Sequence, residues 1–81
     1  MGDTVRSVMT PCRYGKIKFH LREVMDAKGL SRNRLAKLTG TRFEVVDKWY
    51  CGNVERIDTD VLARFCFTLE CGISDIIEYE K

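Results

Sequence analysis

The sequence predicts an all-α fold, a bundle of four to five helices, and three observations lead there. Its 81 residues suffice for one domain around a single modest core. Apolar residues recur at i, i+3 and i+4 in successive segments, the spacing of helices that each bury one face. Glycines at Gly29, Gly40, Gly52 and Gly72 punctuate those segments, and residues suited to cap a helix follow them.

The stretch from Met1 to Gly15 holds the only proline and no sustained apolar period. It predicts a flexible arm over residues 1–15, with at most one helical turn near Thr4 to Met9, and a folded domain over 16–81. Lys16 to Leu21 alternates, with Ile17, Phe19 and Leu21 on one side and Lys16, Lys18 and His20 on the other. That pattern suits a short strand, although the same residues can open a helix. Leu21, Val24 and Met25 follow at helical spacing and Lys28-Gly29 supplies a stop, so the first helix is predicted over about Lys18 to Lys28.

Ser31 can accept from an unpaired first-turn amide as an N-cap, with Leu35, Ala36 and Leu38 as the apolar face behind it and Gly40 as the end. Thr41 and Glu44 have the spacing of a capping box, followed by Val45, Val46 and Trp49 and a stop at Gly52, which places the third helix at about Arg42 to Cys51. Asp58 or Thr59 caps a fourth helix carrying Val61, Leu62, Phe65, Cys66 and Leu69, closed by Gly72. Ser74 caps a last turn with Ile76 and Ile77, and Glu78 to Lys81 fit either helix or strand. As a strand, Ile77 and Tyr79 would pair beside Lys16 to Phe19, because both segments alternate apolar with charged residues.

Composition narrows the function classes. An apolar fraction of 44% with 32% charged residues is that of a globular protein, and no run reaches the length of a membrane span. No charged-then-apolar signal segment opens the chain, so a cytoplasmic location is expected. Cys12, Cys51, Cys66 and Cys71 lack a C-x-x-C pair, and His20 is the sole histidine; free thiols are expected, with no metal and no cofactor. His20 also has no serine or acidic partner at motif spacing and no glycine-rich phosphate loop occurs, which argues against an enzyme. Charge is uneven: from Arg13 to Arg56, 11 Lys and Arg face 5 Asp and Glu, whereas from Ile57 to Lys81, 2 face 6. A basic half can sit on a phosphate backbone while an acidic half points away.

Two short helices joined by a tight turn containing glycine form a helix-turn-helix, here from about Ser31 to Gly52. In such a unit the first helix braces across the DNA backbone and the second enters the major groove, so the helices must approach closely. Ala36 is small where they would meet, and Gly40 sits where the chain reverses.

The run Leu30 to Gly40, followed by Val46 to Gly52, resembles the Cro and lambda-repressor helix-turn-helix family. The likeness continues through Ile57 to Cys66, Leu69 to Cys71 and Ser74 to Tyr79, similar to a compact branch of single-domain bacterial and phage regulators. It implies sequence-specific binding to double-stranded operator DNA, repression of transcription, and often a homodimer on a palindromic site. It also implies a phosphate contact for Arg32 and base readout by Phe43, Glu44, Asp47 and Lys48 on the exposed face of the third helix. Their chemistry is compatible: Lys48 can donate to guanine, Glu44 can accept from cytosine N4, and Phe43 can pack on a thymine methyl. Arg42 can reach a phosphate or a guanine, and Lys37 joins Arg32 among the phosphate contacts. Cys51 stands where many members carry a backbone-touching asparagine, a role open to Asn53.

The alternative is a protein-interaction module on the same fold without DNA binding. Trp49, Tyr50, Phe65, Phe67 and Tyr79 supply ample aromatic area, of which Trp49 reads as core while Phe67 lies off the Phe65 and Leu69 stripe. One short recognition helix touches few bases, which favours a homodimer through the acidic C-terminal part, with Phe67, Ile77 and Tyr79 as apolar contacts.

Overall fold

A computed structural model describes residues Tyr14 to Lys81. The turn expected near Thr4 to Met9, most of the expected arm, and Cys12 lie outside the described residues. The element order is β1 (Lys16–Phe19), α1 (Leu21–Ala27), α2 (Arg32–Thr39), α3 (Phe43–Cys51), α4 (Thr59–Leu69), α5 (Ile73–Ile76) and β2 (Ile77–Glu80). Five helices with a terminal strand pair is the fold class that the sequence predicts.

The strands settle which reading of Lys16 to Leu21 holds. β1 and β2 pair antiparallel, with Ile17 opposite Tyr79 and Phe19 opposite Ile77, while Lys16 faces Glu80 and Lys18 faces Glu78. The apolar pairs thus share one side and the opposite charges the other, and Lys18 Nζ reaches Glu80 Oε2 at 3.4 Å. Gly15 permits the approach: a Cβ there would lie 1.9 Å from the Glu80 carbonyl oxygen. Because the backbone of Lys16 to Phe19 is committed to β2, α1 begins at Leu21 rather than near Lys18.

Every helix contributes to one core. Leu21 and Met25 of α1, Leu35 of α2, Val46 and Trp49 of α3, Val61, Leu62, Phe65 and Leu69 of α4, and Ile76 of α5 are buried. Trp49 is its hinge point, with the Phe19 and Phe65 rings each meeting it edge-on at a centroid distance of 5.4 Å. Leu38, read as part of the α2 apolar face, is instead exposed. It lies three residues past Leu35, but α2 ends one residue after it, and the side chain stays at the rim of a groove that Cys66 and Phe67 of α4 also line.

Helix ends explain the remaining boundaries. Ser31 Oγ accepts the Arg34 N–H at 3.1 Å, and Asp58 accepts from Asp60 and Val61, so both expected N-caps form. The Thr41–Glu44 capping box does not form. Arg42 is the N-cap of α3 without a side-chain bond, while the Thr41 and Thr39 hydroxyls meet at 2.9 Å. α4 ends earlier than Gly72 because Glu70 adopts the left-handed conformation at φ 53°. The Cys71 and Glu70 N–H groups then close back on the Cys66 and Phe67 carbonyls. α5 is capped from Gly72, whose N–H bonds to Asp75 Oδ2 at 2.9 Å, and not by Ser74.

Candidate nucleic-acid interface

α2 and α3 meet through a three-residue turn, Gly40 to Arg42, with Gly40 at φ 66° where a side chain would be strained. The Gly40 and Thr41 N–H groups both return to the Ala36 carbonyl, and the Thr39 hydroxyl donates to the Leu35 carbonyl at 2.7 Å. Arg64 on α4 adds a clasp from outside, donating to the Thr39 and Gly40 carbonyls while its other terminal nitrogen pairs with Asp60 at 2.8 Å. A cation at a helix C-terminus also opposes the dipole of α2 favourably. The corner is therefore held by backbone bonds, one arginine and the core beneath it.

The orientation of α3 follows from burial. Val46 and Trp49 enter the core and Val45 is half-buried. At 100° per residue the opposite side carries Glu44, Lys48 and Cys51, all exposed. Glu44 and Lys48, expected to read bases, thus share an open face. Cys51 shares it too, at a position from which sequence analysis expected only a missing backbone contact.

Phe43, Asp47 and Tyr50 follow one another at i, i+4 and i+7 and face the start of α2. Arg32 rests among them: its Nη1 donates to Asp47 Oδ1 at 2.5 Å, and its guanidinium lies 4.9 Å from the Tyr50 ring centroid and 5.8 Å from that of Phe43. α1 braces this cluster. Arg22 lies 5.6 Å over the Tyr50 ring, and the Tyr50 hydroxyl donates to Asp26 at 3.4 Å. Arg32 and Asp47, read separately in the sequence as phosphate contact and base reader, are thus one ion pair.

Further cations are exposed on the same helix pair. Arg34 and Lys37 project from α2, and Arg42 from the turn. Asn53 follows the left-handed Gly52, its N–H bonded to the Lys48 carbonyl at 2.9 Å. Lys48, Asn53 and Arg56 line one shallow depression between α3 and α4, together with the carboxylates of Glu55 and Asp58. Arg34 and Arg56 were given no role by sequence reasoning; Arg56 stands outside any helical period, so only the loop's return to α3 marks it.

A family model of the Cro/C1-type HTH DNA-binding domain matches residues 20–81. The chain belongs to that family. Among solved structures, this Cro/C1-type domain is similar to the transcriptional regulator VanUg, with a TM-score of 0.69 and 19% identity over 98% of this chain and 97% of that one. It is also similar to the prophage Lp1 protein 11, with a TM-score of 0.56 and 28% identity, covering 69% of this chain and 74% of that one. A Bacteroides fragilis protein described as an inferred DNA-binding protein has a TM-score of 0.68 at 16% identity, with 78% of this chain and all of that one covered. No curated protein matches the sequence. The low identities speak to the fold; the family match over most of the chain places the α2–α3 unit in a DNA-binding lineage. Among the described residues of this Cro/C1-type domain, no helix is long and apolar enough to cross a membrane, and Cys51, Cys66 and Cys71 are free thiols.

Proposed function

We propose that this domain is a sequence-specific transcriptional regulator, a repressor that inserts α3 into the major groove of operator DNA. The observation that carries the reading is the two-sidedness of α3: one face is locked into the core by Val46 and Trp49, and the other offers Glu44 and Lys48 to a ligand. Lys48 donates to guanine edges and Glu44 accepts from cytosine. Arg32, Lys37 and Arg42, joined by Arg34 and Arg56, contact phosphates and set the register, with Asn53 as a further backbone contact. The work is binding, without catalysis, in the cytoplasm that the sequence suggests.

A homodimer completes this reading, since two recognition helices about 34 Å apart, one DNA turn, double the bases read. Phe67 supports it: at 85% exposure it is the most open large apolar residue among the described residues, and half-exposed Leu38 lines the same groove. Ile77 is withdrawn from the expected interface because it is half-buried against the core.

The decisive experiment is selection of bound duplexes from a random pool, followed by anisotropy titration of the winner and of a scrambled duplex at several salt concentrations. A selected motif with affinity that falls steeply with salt is the expected result. Equal, negligible affinity for all duplexes would transfer the function to the protein-interaction reading.

A further inference from the structure

The contacts of Arg32 reach beyond an ordinary surface ion pair. Its side chain carries one Asp47 bond and two aromatic neighbours, yet remains 43% exposed. A guanidinium has five N–H donors in a fixed planar fork, and Asp47 engages only Nη1. The unengaged donors are left for a ligand at the mouth of α2. Asp47 is committed as well: its Oδ1 accepts from Arg32 and lies 3.9 Å from Cys51 Sγ. An aspartate rotated off the arginine toward a base would bring an uncompensated negative charge among phosphates. Paired, the two are neutral together and the approach of α3 is not opposed.

We propose that Asp47 is a positioning residue that holds the Arg32 guanidinium on the shelf made by Phe43 and Tyr50, so that its remaining N–H groups meet one phosphodiester of the DNA backbone. Asp47 itself reads no base. The inference rests on the DNA-binding reading above. An exposed arginine loses side-chain freedom when it grips a phosphate, and a pre-ordered one has already lost it, so the gain appears as affinity. The shelf is itself fixed from α1 through Arg22 and Asp26, so three helices converge to aim one side chain. Asp47 thus acts on phosphate affinity common to all sequences, while discrimination stays with Lys48 and Glu44.

The test uses the full chain, with Arg32→Ala, Asp47→Ala, Asp47→Asn and the Arg32→Ala, Asp47→Ala double variant, titrated on a selected and a scrambled duplex across a salt series. Arg32→Ala and Asp47→Ala are each expected to weaken binding to both duplexes by about tenfold, the scale of one charge-assisted hydrogen bond. Arg32→Ala should also reduce the slope of log affinity against log salt by up to about 0.9, one phosphate contact fewer, whereas Asp47→Ala, which keeps the cation, should leave the slope no shallower. The double variant should bind no worse than either single variant, and Asp47→Asn, which keeps an acceptor oxygen, should fall between wild type and Asp47→Ala. Tighter binding by Asp47→Ala, multiplicative losses in the double variant, or an altered preference at one base pair would each overturn the proposal. The Arg32 side-chain N–H resonance of the free protein supplies a readout without DNA: slowly exchanging in wild type, lost in Asp47→Ala. A resonance indifferent to Asp47 refutes the clamp. An intact clamp resonance in a wild-type protein that binds no duplex refutes the DNA reading, and the phosphate contact with it.

Discussion

His20 Nε2 lies 2.5 Å from Glu78 Oε1, so the residue at the N-cap of α1 also clasps β2. The other ring nitrogen is 3.7 Å from Glu23 Oε2, and the His20 backbone N–H bonds to the Ile76 carbonyl at 2.6 Å. A proton on the ring serves both carboxylates. The hydrogen bond to Glu78 accordingly raises the His20 pKa above its usual 6.5, with Glu23 helping and desolvation opposing.

That shift fixes a pH dependence. Because the folded pKa is raised, the clasp contributes fully below the unfolded pKa of about 6.5 and fades as pH rises through the folded value. Thermal melts between about pH 5.5 and 8.5 should show stability declining toward the alkaline end, and Glu78→Gln should flatten that decline. A histidine ring resonance titrating at or below the ordinary value would contradict the clasp.

The Phe19–Trp49–Phe65 stack predicts where the core is most sensitive. Phe65 is fully buried and meets Trp49 edge-on, so Phe65→Ala should cost about 3–5 kcal/mol in urea denaturation. Phe67→Ala, two residues on but 85% exposed, should leave monomer stability within about 0.5 kcal/mol. Equal losses from the two would mean that the α4 register is wrong.

Caps offer a matched pair of substitutions. Ser31→Ala removes the acceptor of the Arg34 N–H and should destabilise by about 1 kcal/mol. Thr41→Ala removes no cap, since α3 starts from Arg42 without a side-chain bond, and should cost less. If Thr41→Ala proved the more damaging, the capping box would exist in solution.

Glu70 is the one described non-glycine residue with positive φ, at the position where α2 and α3 use glycine. Glu70→Gly relieves a conformation that costs a side chain about 1 kcal/mol, partly offset by the added freedom of the unfolded chain. A modest rise in melting temperature is expected, whereas Gly40→Ala should lower it.

On DNA, Lys48→Ala and Lys37→Ala should differ in kind. Lys48 projects from the open face of α3, and under the proposed DNA reading its loss should relax preference at one base pair of the site, a discrimination of about 1–3 kcal/mol. Lys37, in the last turn of α2, should instead weaken all duplexes alike and reduce the salt slope. Competition titrations with single-substituted duplexes separate the two patterns.

The sequence alone determined what local chemistry decides. Ser31, Asp58, Gly40 and Gly52 mark helix ends through hydrogen bonds and backbone angles spanning a few residues, and the i, i+3, i+4 spacing of Val61, Leu62, Phe65 and Leu69 orients α4 without outside help. The pairing of Ile77 and Tyr79 beside Lys16 to Phe19 was also legible as one of two readings, since both segments alternate, whereas its register came from the structure. Tertiary structure decided everything that depends on residues distant in the chain. Lys16 to Phe19 became strand rather than helix because β2, some 60 residues later, takes up its backbone bonds. Leu38 stayed half-exposed because α4 meets it only at the rim of the groove that Cys66 and Phe67 line. Arg32 and Asp47, 15 positions apart, became one unit because the turn at Gly40 folds α3 against the start of α2. Periodicity reports which face of a segment is apolar; it carries no information about which neighbour that segment will meet, and charge pairing across helices is set by that meeting.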